Sequence, residues 1–477
     1  MAEAVGRAPN EAPDPQKAEQ LAEWAGGCRF EDIPRDKLPY LKTLVLDTIG
    51  CAIGALEHEA VEAARSLTTD LGGSGWCTLI GGGRSAPDRA AFHNGALVRY
   101  LDFMDILMVR GQSFHPSDNL AATLAATEMA GASGRQFLTA LATAYQVHAV
   151  VSERAPLQEK GFDHVTHLAF SIPAGCINAL GLDRRQGANA IAMCACATNT
   201  LWVIRTGRLS RWKGFASAQA AMSCMHMTLL ATRGITGPLN LMEGPQGWEE
   251  VVGERIELDW TKESLGRFGD SSIKRYNAEG HTQSVLECLL ELRERHDIRV
   301  KDVMRVEVDA FKQVHNIVGG GEAGDRTSVA SKEQADHSLP YLCAVALLDG
   351  DVWPEQLEPE RVRRQDVQEL LQKVFVRQRD ELSVRYPKEM PCQVKVLLRD
   401  GTELLGEKSD YLGFARTRPL GWDGALAKFE RLAGPGLEAA LRRDIPQAVG
   451  ALDSIKVSEL TDLLGRAAGT HKARASA

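Results

Sequence analysis

The sequence lacks the features that tie a protein to a membrane or to nucleic acid. It has no apolar run of the roughly 18 residues that are needed to cross a bilayer. Its 63 acidic and 55 basic residues give a formal net charge of −8, which argues against general binding to nucleic acid. We therefore expect no membrane and no nucleic-acid partner. The acidic charge does not exclude a small anionic substrate, because a local basic pocket can form in an acidic protein.

Closely spaced cysteines are missing as well. Ten cysteines are scattered along the chain without a CxxC pair, and the nearest two, Cys194 and Cys196, lie in an apolar stretch with helical spacing. An iron–sulfur cluster needs about four closely placed thiolates, so none is predicted. Residues 1–15 lack the basic segment and the following apolar segment of a signal peptide. We expect a disordered leader there, reduced thiols and a cytoplasmic protein.

What the sequence does contain changes character along its length. A chain of 477 residues predicts two or three domains. Residues 16–270 are rich in alanine, leucine and glycine with helical periodicity, which predicts a large all-helical domain. Residues 271–414 include two alternating apolar and polar stretches and a hairpin turn at RDG, which predicts a smaller α+β domain. The helical segments over 415–470 are expected to return to the first domain, so the predicted fold class is mainly α.

Residues 101–120 place polar side chains around an apolar run. The stretch reads LDFMDILMVRGQSFHPSDNL and contains Asp102, Asp105, His115 and Asp118. Such a pattern fits a metal site, an acid–base site, or a buried helix end followed by a polar loop. No metal-ligand spacing supports the first interpretation. The residues of this stretch alone leave the acid–base site and the buried helix end open.

Two histidines and a basic stretch follow along the chain. His164 and His167 in KGFDHVTH are three residues apart, which could suit a metal on a helix, but the HExxH and ExxH patterns are absent. We expect one of the two to be catalytic and the other to be structural. The stretch RTGRLSRWKGFASAQAA carries Arg205, Arg208, Arg211 and Lys213 before a helix of small residues. It is either a solvated basic loop or a cradle for an anion, which arginine and a helix N-terminus both favour.

Two further segments carry groups that can bind or transfer protons. SSIKRYNAEGHTQS contains Lys274 and His281, and His281 directly precedes a helix, a position that favours a neutral imidazole. ADHSLPY contains Asp336, His337 and Tyr341 at the start of another helix, where the Asp-His pair could be a helix cap. Aspartates, histidines and clustered basic residues without a metal or cofactor fingerprint indicate acid–base chemistry on a small polycarboxylate.

Six of these segments occur in the order that is typical of one enzyme family. They are LDFMD with HPSDN, KGFDHVT, RTGRLSRWKGFA, IKRY with GHTQS, ADHSLPY, and YPKEMP. Over residues 17–465 the chain resembles the MmgE/PrpD family, which includes 2-methylcitrate dehydratase, cis-aconitate decarboxylase and iminodisuccinate epimerase. The resemblance implies a large helical domain with a smaller α+β lid domain, an active site between them, a homodimer, and no metal or cofactor.

The resemblance also assigns roles to nine positions. It implies that His115 and His164 transfer protons and that Asp102 orients them or shares that work. The remaining catalytic positions are His281 and Tyr341, and the positions that bind the carboxylates of the substrate are Arg205, Lys213 and Lys274. Ile106 stands where the family usually has a hydroxyl group, which predicts an altered and less polar substrate.

The function that the resemblance implies is a lyase of the 2-methylcitrate dehydratase kind. Such an enzyme abstracts an α-proton from a small carboxylic acid and releases water. Two alternatives share the same first step: decarboxylation of a cis-aconitate-type acid, and epimerisation. A third alternative is a catalytically silent member of the family.

Overall fold

The computed structural model of the protein describes residues 15–109 and 111–467. The predicted leader lies outside the described residues except for residue 15, and so do residues 468–470 at the end of the predicted helical domain. All ten cysteines fall within the described ranges. They are free thiols, nine of them buried and Cys196 exposed.

The first half of the chain is helical, as its periodicity predicts. Its helices pack closely through small residues: a Cβ added to Gly175 would lie 3.0 Å from that of Ala144, and one added to Gly95 would lie 3.2 Å from the Cα of Ala218. Short antiparallel ribbons join β1 (Cys77–Thr78) to β2 (Arg84–Ser85) and β3 (Leu107–Val109) to β4 (Gln112–Phe114). The helices are α1 (Lys17–Gly27), α2 (Leu38–Gly54), α3 (Glu59–Leu71), α4 (Pro87–Tyr100), α5 (Leu120–Met129), α6 (Gly134–Arg154), α7 (Leu168–Leu180), α8 (Arg184–Ala197), α9 (Ala216–Ala231) and α10 (Trp248–Val252).

A four-stranded sheet marks the smaller α+β part. Its order is β6-β5-β7-β8, with β5 and β6 parallel and the other pairs antiparallel. The predicted hairpin at RDG is confirmed, since it joins β7 to β8. The strands are β5 (Val303–Ala310), β6 (Val374–Gln378), β7 (Cys392–Leu398) and β8 (Glu403–Lys408). The helices are α11 (Gln283–Arg295), α12 (Lys312–Val318), α13 (Lys332–Ala335), α14 (Leu339–Asp349), α15 (Pro359–Val362), α16 (Gln365–Leu371) and α17 (Asp380–Ser383).

Within the described residues, three α-helices follow the sheet: α18 (Trp422–Ala433), α19 (Ala439–Gly450) and α20 (Val457–Gly465). They pack against the helical part, where Phe429 of α18 lies so close to α2 that a Cβ on Gly50 would be 3.2 Å from its Cα. Their apolar residues share one core with α2. This packing is what the predicted return of the chain to the first domain would require, although the domain boundaries themselves stay a prediction.

The structure confirms the predicted fold class, a mainly α protein with a smaller α+β part. The α+β part has its own core, and Ile106, from the segment between α4 and α5, is buried in it. That segment therefore links the two parts and brings its polar residues to their junction. Among the described helices, none is by itself long and apolar enough to cross a membrane. The pair α2 and α3 passes that test only together, with a bend of 90°.

Candidate active site

The loop after α4 places one carboxylate at the centre of the site. Asp102 has a φ of +58°, a left-handed backbone conformation that residues other than glycine rarely adopt. Its Oδ1 lies 2.8 Å from Nη1 of Arg99 and 2.7 Å from Nζ of Lys274, and its Oδ2 lies 3.1 Å from Nζ of Lys213. All four side chains are at most 2% exposed. Three basic groups therefore converge on one buried carboxylate.

This charge arrangement keeps Asp102 ionised. Burial by itself would raise the pKa of Asp102, but the positive charges of Arg99, Lys274 and Lys213 hold it well below its usual range. Burial lowers the pKa of Lys213, and the charges of Asp336 and Asp102 oppose that shift. The carboxylate and the ammonium groups stabilise each other in surroundings where either alone would be costly.

A second carboxylate, Asp336, comes from the end of α13. Its Oδ1 accepts a hydrogen bond from Nζ of Lys213 at 2.6 Å, and its Oδ2 accepts one from Nζ of Lys332 at 2.8 Å. Nδ1 of His337 lies 2.7 Å from the same Oδ1 and 2.9 Å from Nζ of Lys213. Burial and the charge of Lys213 lower the pKa of His337 to about 4, although Asp336 and Asp102 oppose the shift. The Asp-His pair that could have been a helix cap thus belongs to the site.

Asp102, Asp336 and His337 also form a group of metal-ligand types, because one donor atom of each lies within 4.8 Å of the others. All three are within 3.1 Å of the Lys213 ammonium, which occupies the position between them. A cation is therefore already built into this group in the form of a side chain.

His115 approaches this cluster with its ring orientation fixed. Its Nδ1 lies 2.6 Å from the backbone carbonyl of Asp105, so Nδ1–H donates there and Nε2 keeps its lone pair, 3.9 Å from Oδ1 of Asp102. The Asp105 carboxylate accepts hydrogen bonds from the backbone and hydroxyl of Ser117 and from the hydroxyl of Tyr145. Burial, followed by the charges of Arg99 and Lys274, lowers the pKa of His115 well below its ordinary value of 6.5. At neutral pH this imidazole is therefore a neutral base.

His164 faces His115 at a ring-centroid distance of 5.4 Å. Its Nδ1 is 3.4 Å from Oδ1 of Asp163, and its buried Nε2 has no hydrogen-bond partner among residues 15–109 and 111–467. Asp163 receives two hydrogen bonds from Arg205, at 2.8 and 3.3 Å. Burial is the main cause that lowers the pKa of His164 to about 3, although the charge of Asp163 opposes it. His167, in contrast, donates from Nε2 to the Ala155 carbonyl, which is a structural contact.

The other predicted site residues have different surroundings. Both ring nitrogens of His281 are occupied, Nδ1 by Glu279 at 2.7 Å and Nε2 by the hydroxyl of Tyr386 at 3.1 Å. The hydroxyl of Tyr341 donates to the Gln356 carbonyl inside the α+β core, and this position gives its predicted catalytic role no support. Ile106 is buried in the same core, beside Gly280, so its predicted effect on the substrate also stays a prediction.

The basic stretch over 205–213 does not form a single cradle. Arg205 is buried against Asp163 and Lys213 is buried against Asp102, whereas Arg208 is exposed and Arg211 pairs with Glu59 at the surface. The first and last of these four basic residues are buried at the site, and the two between them face the solvent. The anion cradle stays a prediction.

Several members of the site were missed by sequence reasoning. Arg99 gives a weak signal because it stands three residues before Asp102 at a helix end, and Lys332 gives one because it stands four residues before Asp336. Asp163 directly precedes His164. These short-range spacings are common on protein surfaces, which explains why they were not singled out.

The chain matches two family models, those of the MmgE/PrpD N-terminal domain over residues 19–261 and the MmgE/PrpD C-terminal domain over residues 276–453. It is 25% identical to a 2-methylcitrate dehydratase of Escherichia coli strain K12 over 81% of this chain and 84% of that protein. It is 26% identical to the alkylcitrate dehydratase phiI of a fungal species over 90% of each chain. A third relative, the 2-methylcitrate dehydratase-like protein oryR of Aspergillus oryzae, is 26% identical over 76% of this chain and 78% of that protein. The family resemblance is thereby confirmed, and the chain belongs to the MmgE/PrpD family.

Proposed function

We propose that the protein is a hydro-lyase that removes water from a small polycarboxylate of the 2-methylcitrate kind. The observation that carries the proposal is the pair formed by His115 and His164, two buried imidazoles with lowered pKa values that face each other at 5.4 Å. Such a pair, set beside a cluster of basic groups, suits proton transfer on an anionic substrate. The names of the relatives point to the same reaction class.

The charge of the cluster favours a substrate with carboxylates. Four basic side chains pair directly with two acidic ones: Arg99, Lys213, Lys274 and Lys332 with Asp102 and Asp336. Basic groups that converge in this way favour an anionic substrate. Lys213 and Lys274 are the groups that we assign to the carboxylate next to the reacting carbon.

The proposed reaction uses the two imidazoles on successive protons. Nε2 of His115 takes the α-proton, and the electrons of that C–H bond are stabilised by the carboxylate that Lys213 and Lys274 hold. The electron pair then forms the double bond as the C–O bond breaks. His164 is neutral in the free protein, with a pKa of about 3. The negative charges of the bound substrate and of Asp163 favour its protonation, and the imidazolium then gives a proton to the departing hydroxide, which leaves as water. Asp102 keeps the lysines charged and in place.

This mechanism needs no metal ion, because the Lys213 ammonium supplies a positive charge at the position where Asp102, Asp336 and His337 converge. The homodimer expected from the resemblance stays a prediction, which sedimentation analysis of the purified protein would check.

The test is turnover of a panel of citrate-type acids by purified, chelator-treated protein in D2O, followed by proton NMR. Loss of water to give an unsaturated acid is expected. Release of carbon dioxide would instead indicate decarboxylation, and deuterium in recovered substrate without an unsaturated product would indicate epimerisation. The variant His115→Asn should slow conversion by about 10²–10⁴-fold, whereas His226→Asn, at an exposed histidine that pairs with Asp88, should leave the rate unchanged. No conversion of any acid by the unmodified protein would refute the proposal and favour a silent homologue.

A further inference from the structure

The turn that follows helix α4 is held by side chains from three other regions of the chain. Buried backbone carbonyls that lie outside regular structure need hydrogen-bond donors from elsewhere. The carbonyl of Asp102 accepts from Nζ of Lys274 at 2.8 Å, and that of Phe103 accepts from Nζ of Lys428 at 2.7 Å. The two preceding carbonyls, of Tyr100 and Leu101, are bound from the α+β part.

Lys332 binds the carbonyls of Tyr100 and Leu101, and it uses all three of its N–H donors. Its Nζ donates to the carbonyl of Tyr100 at 2.5 Å, to that of Leu101 at 3.2 Å, and to Oδ2 of Asp336 at 2.8 Å. The other oxygen of Asp336 holds Lys213, which binds Asp102. One ammonium group thus joins the backbone before Asp102 to the carboxylate that positions Lys213.

Asp102 needs such support. A non-glycine residue with a positive φ is strained and persists only where its surroundings fix it. The carbonyls of the two residues before Asp102 are fixed by Lys332, with a further hydrogen bond of 2.6 Å from Asn277 to the Leu101 carbonyl. Loss of Lys332 would free this turn and would leave Oδ2 of Asp336 without its ammonium partner.

Lys332 also lines a cavity of about 570 Å³ between the two parts of the protein. Tyr100, Leu101 and Asn277 line the same cavity, so it reaches the backbone before Asp102. A small solute in this cavity could therefore reach the position of the Lys332 ammonium.

We propose that Lys332 is a positioning residue of the α+β part, which holds Asp102 and Lys213 in their reactive arrangement through the Tyr100 and Leu101 carbonyls and Asp336. The inference rests on the proposed function where it concerns turnover. Its structural claim, that Lys332 fixes the turn at Asp102, is separate and can be measured without any substrate.

The first measurement is hydrogen exchange at the amides of Asp102 and Ile106, which donate to the carbonyls of Arg99 and Ser272. In Lys332→Ala these amides should exchange faster than in the unmodified protein. Ethylammonium at millimolar concentration should slow them again, because it supplies the missing cation through the cavity, whereas ethanol should not. The exchange rates of Lys332→Arg should lie between those of Lys332→Ala and those of the unmodified protein. Lys301→Ala, at an exposed lysine of the α+β part, should leave the exchange rates unchanged.

The second measurement is turnover of the acid that the unmodified protein converts. We expect kcat/KM of Lys332→Ala to fall on the order of 10²-fold, the effect of a small misplacement of reacting groups, with partial recovery in ethylammonium but not in ethanol. Unchanged exchange at Asp102 in a folded Lys332→Ala protein would overturn the inference, and so would equal rescue by ethanol. If the unmodified protein converts no acid, the proposed function fails while the exchange experiment still decides the role of Lys332.

Discussion

Arg205 and Asp163 form a buried ion pair whose loss has a predictable size. The guanidinium donates to both carboxylate oxygens, at 2.8 and 3.3 Å, and the side chains are 4% and 0% exposed. We consider the variant Arg205→Met, which keeps most of the apolar stem and removes the charge. The Asp163 carboxylate would then be buried without its cation, and removal of one partner of a buried pair costs about 3–5 kcal/mol.

The expected change in melting temperature follows from the size of the protein. An unfolding entropy of about 2.1 cal/mol/K per residue gives about 1 kcal/mol/K for 477 residues. The variant should therefore melt about 3–5 °C lower. The pair Arg377 and Asp309 is a matched surface control, because it has the same bidentate geometry, at 2.7 and 3.4 Å, with the arginine 43% exposed. Arg377→Met should cost at most about 1 kcal/mol, or roughly 1 °C.

Scanning calorimetry at several pH values separates this cause from a general packing defect. Burial would raise the pKa of Asp163, but the charge of Arg205 is the main cause that lowers it below its usual range. The stability that this pair contributes is therefore present above the unfolded pKa of about 3.9 and is lost as the pH falls below it. The difference in melting temperature between Arg205→Met and the unmodified protein should narrow as the pH falls below about 3.9, and adding Asp163→Asn should restore part of the stability at pH 7. A gap no larger than that of Arg377→Met, or one that is independent of pH, would refute the reasoning.

Three further predictions concern the site and its support. His115→Asn should slow water loss by about 10²–10⁴-fold with an unchanged melting temperature, because the amide can still donate to the Asp105 carbonyl; an unimpaired rate would contradict the base assignment. The base must be neutral and burial lowers the pKa of His115, so kcat/KM should fall on acidification only below pH 6.5, and an inflection at or above that value would count against this role. Gly280→Ala should destabilise the protein by about 1–3 kcal/mol in thermal unfolding, because its Cβ would lie 2.2 Å from Cδ1 of Ile106. Adding Ile106→Val, which removes Cδ1, should recover part of that loss, and an unchanged melting temperature of Gly280→Ala would contradict this packing.

Only the folded chain shows how the predicted site residues relate to one another. Asp102, His115, His164, Lys213 and Lys274 meet as the motif order suggested, because the elements that carry them pack at the junction of the two parts. Tyr341 stands in an equally specific segment, yet its hydroxyl is bound inside the α+β core. A motif gives the order and spacing of residues along the chain. The direction in which each side chain points depends on how its helix packs in the folded protein.

The sequence by itself determined the fold class, the hairpin at RDG and the family. These features follow from local periodicity, turn chemistry and motif order, which act over short distances along the chain. The tertiary structure alone decided the partners of the buried charges. Arg99, Lys332 and Asp336 enter the site because a buried charge requires an opposite one nearby, and the pairing of Lys332 with carbonyls more than 200 residues away depends on packing that no local pattern records.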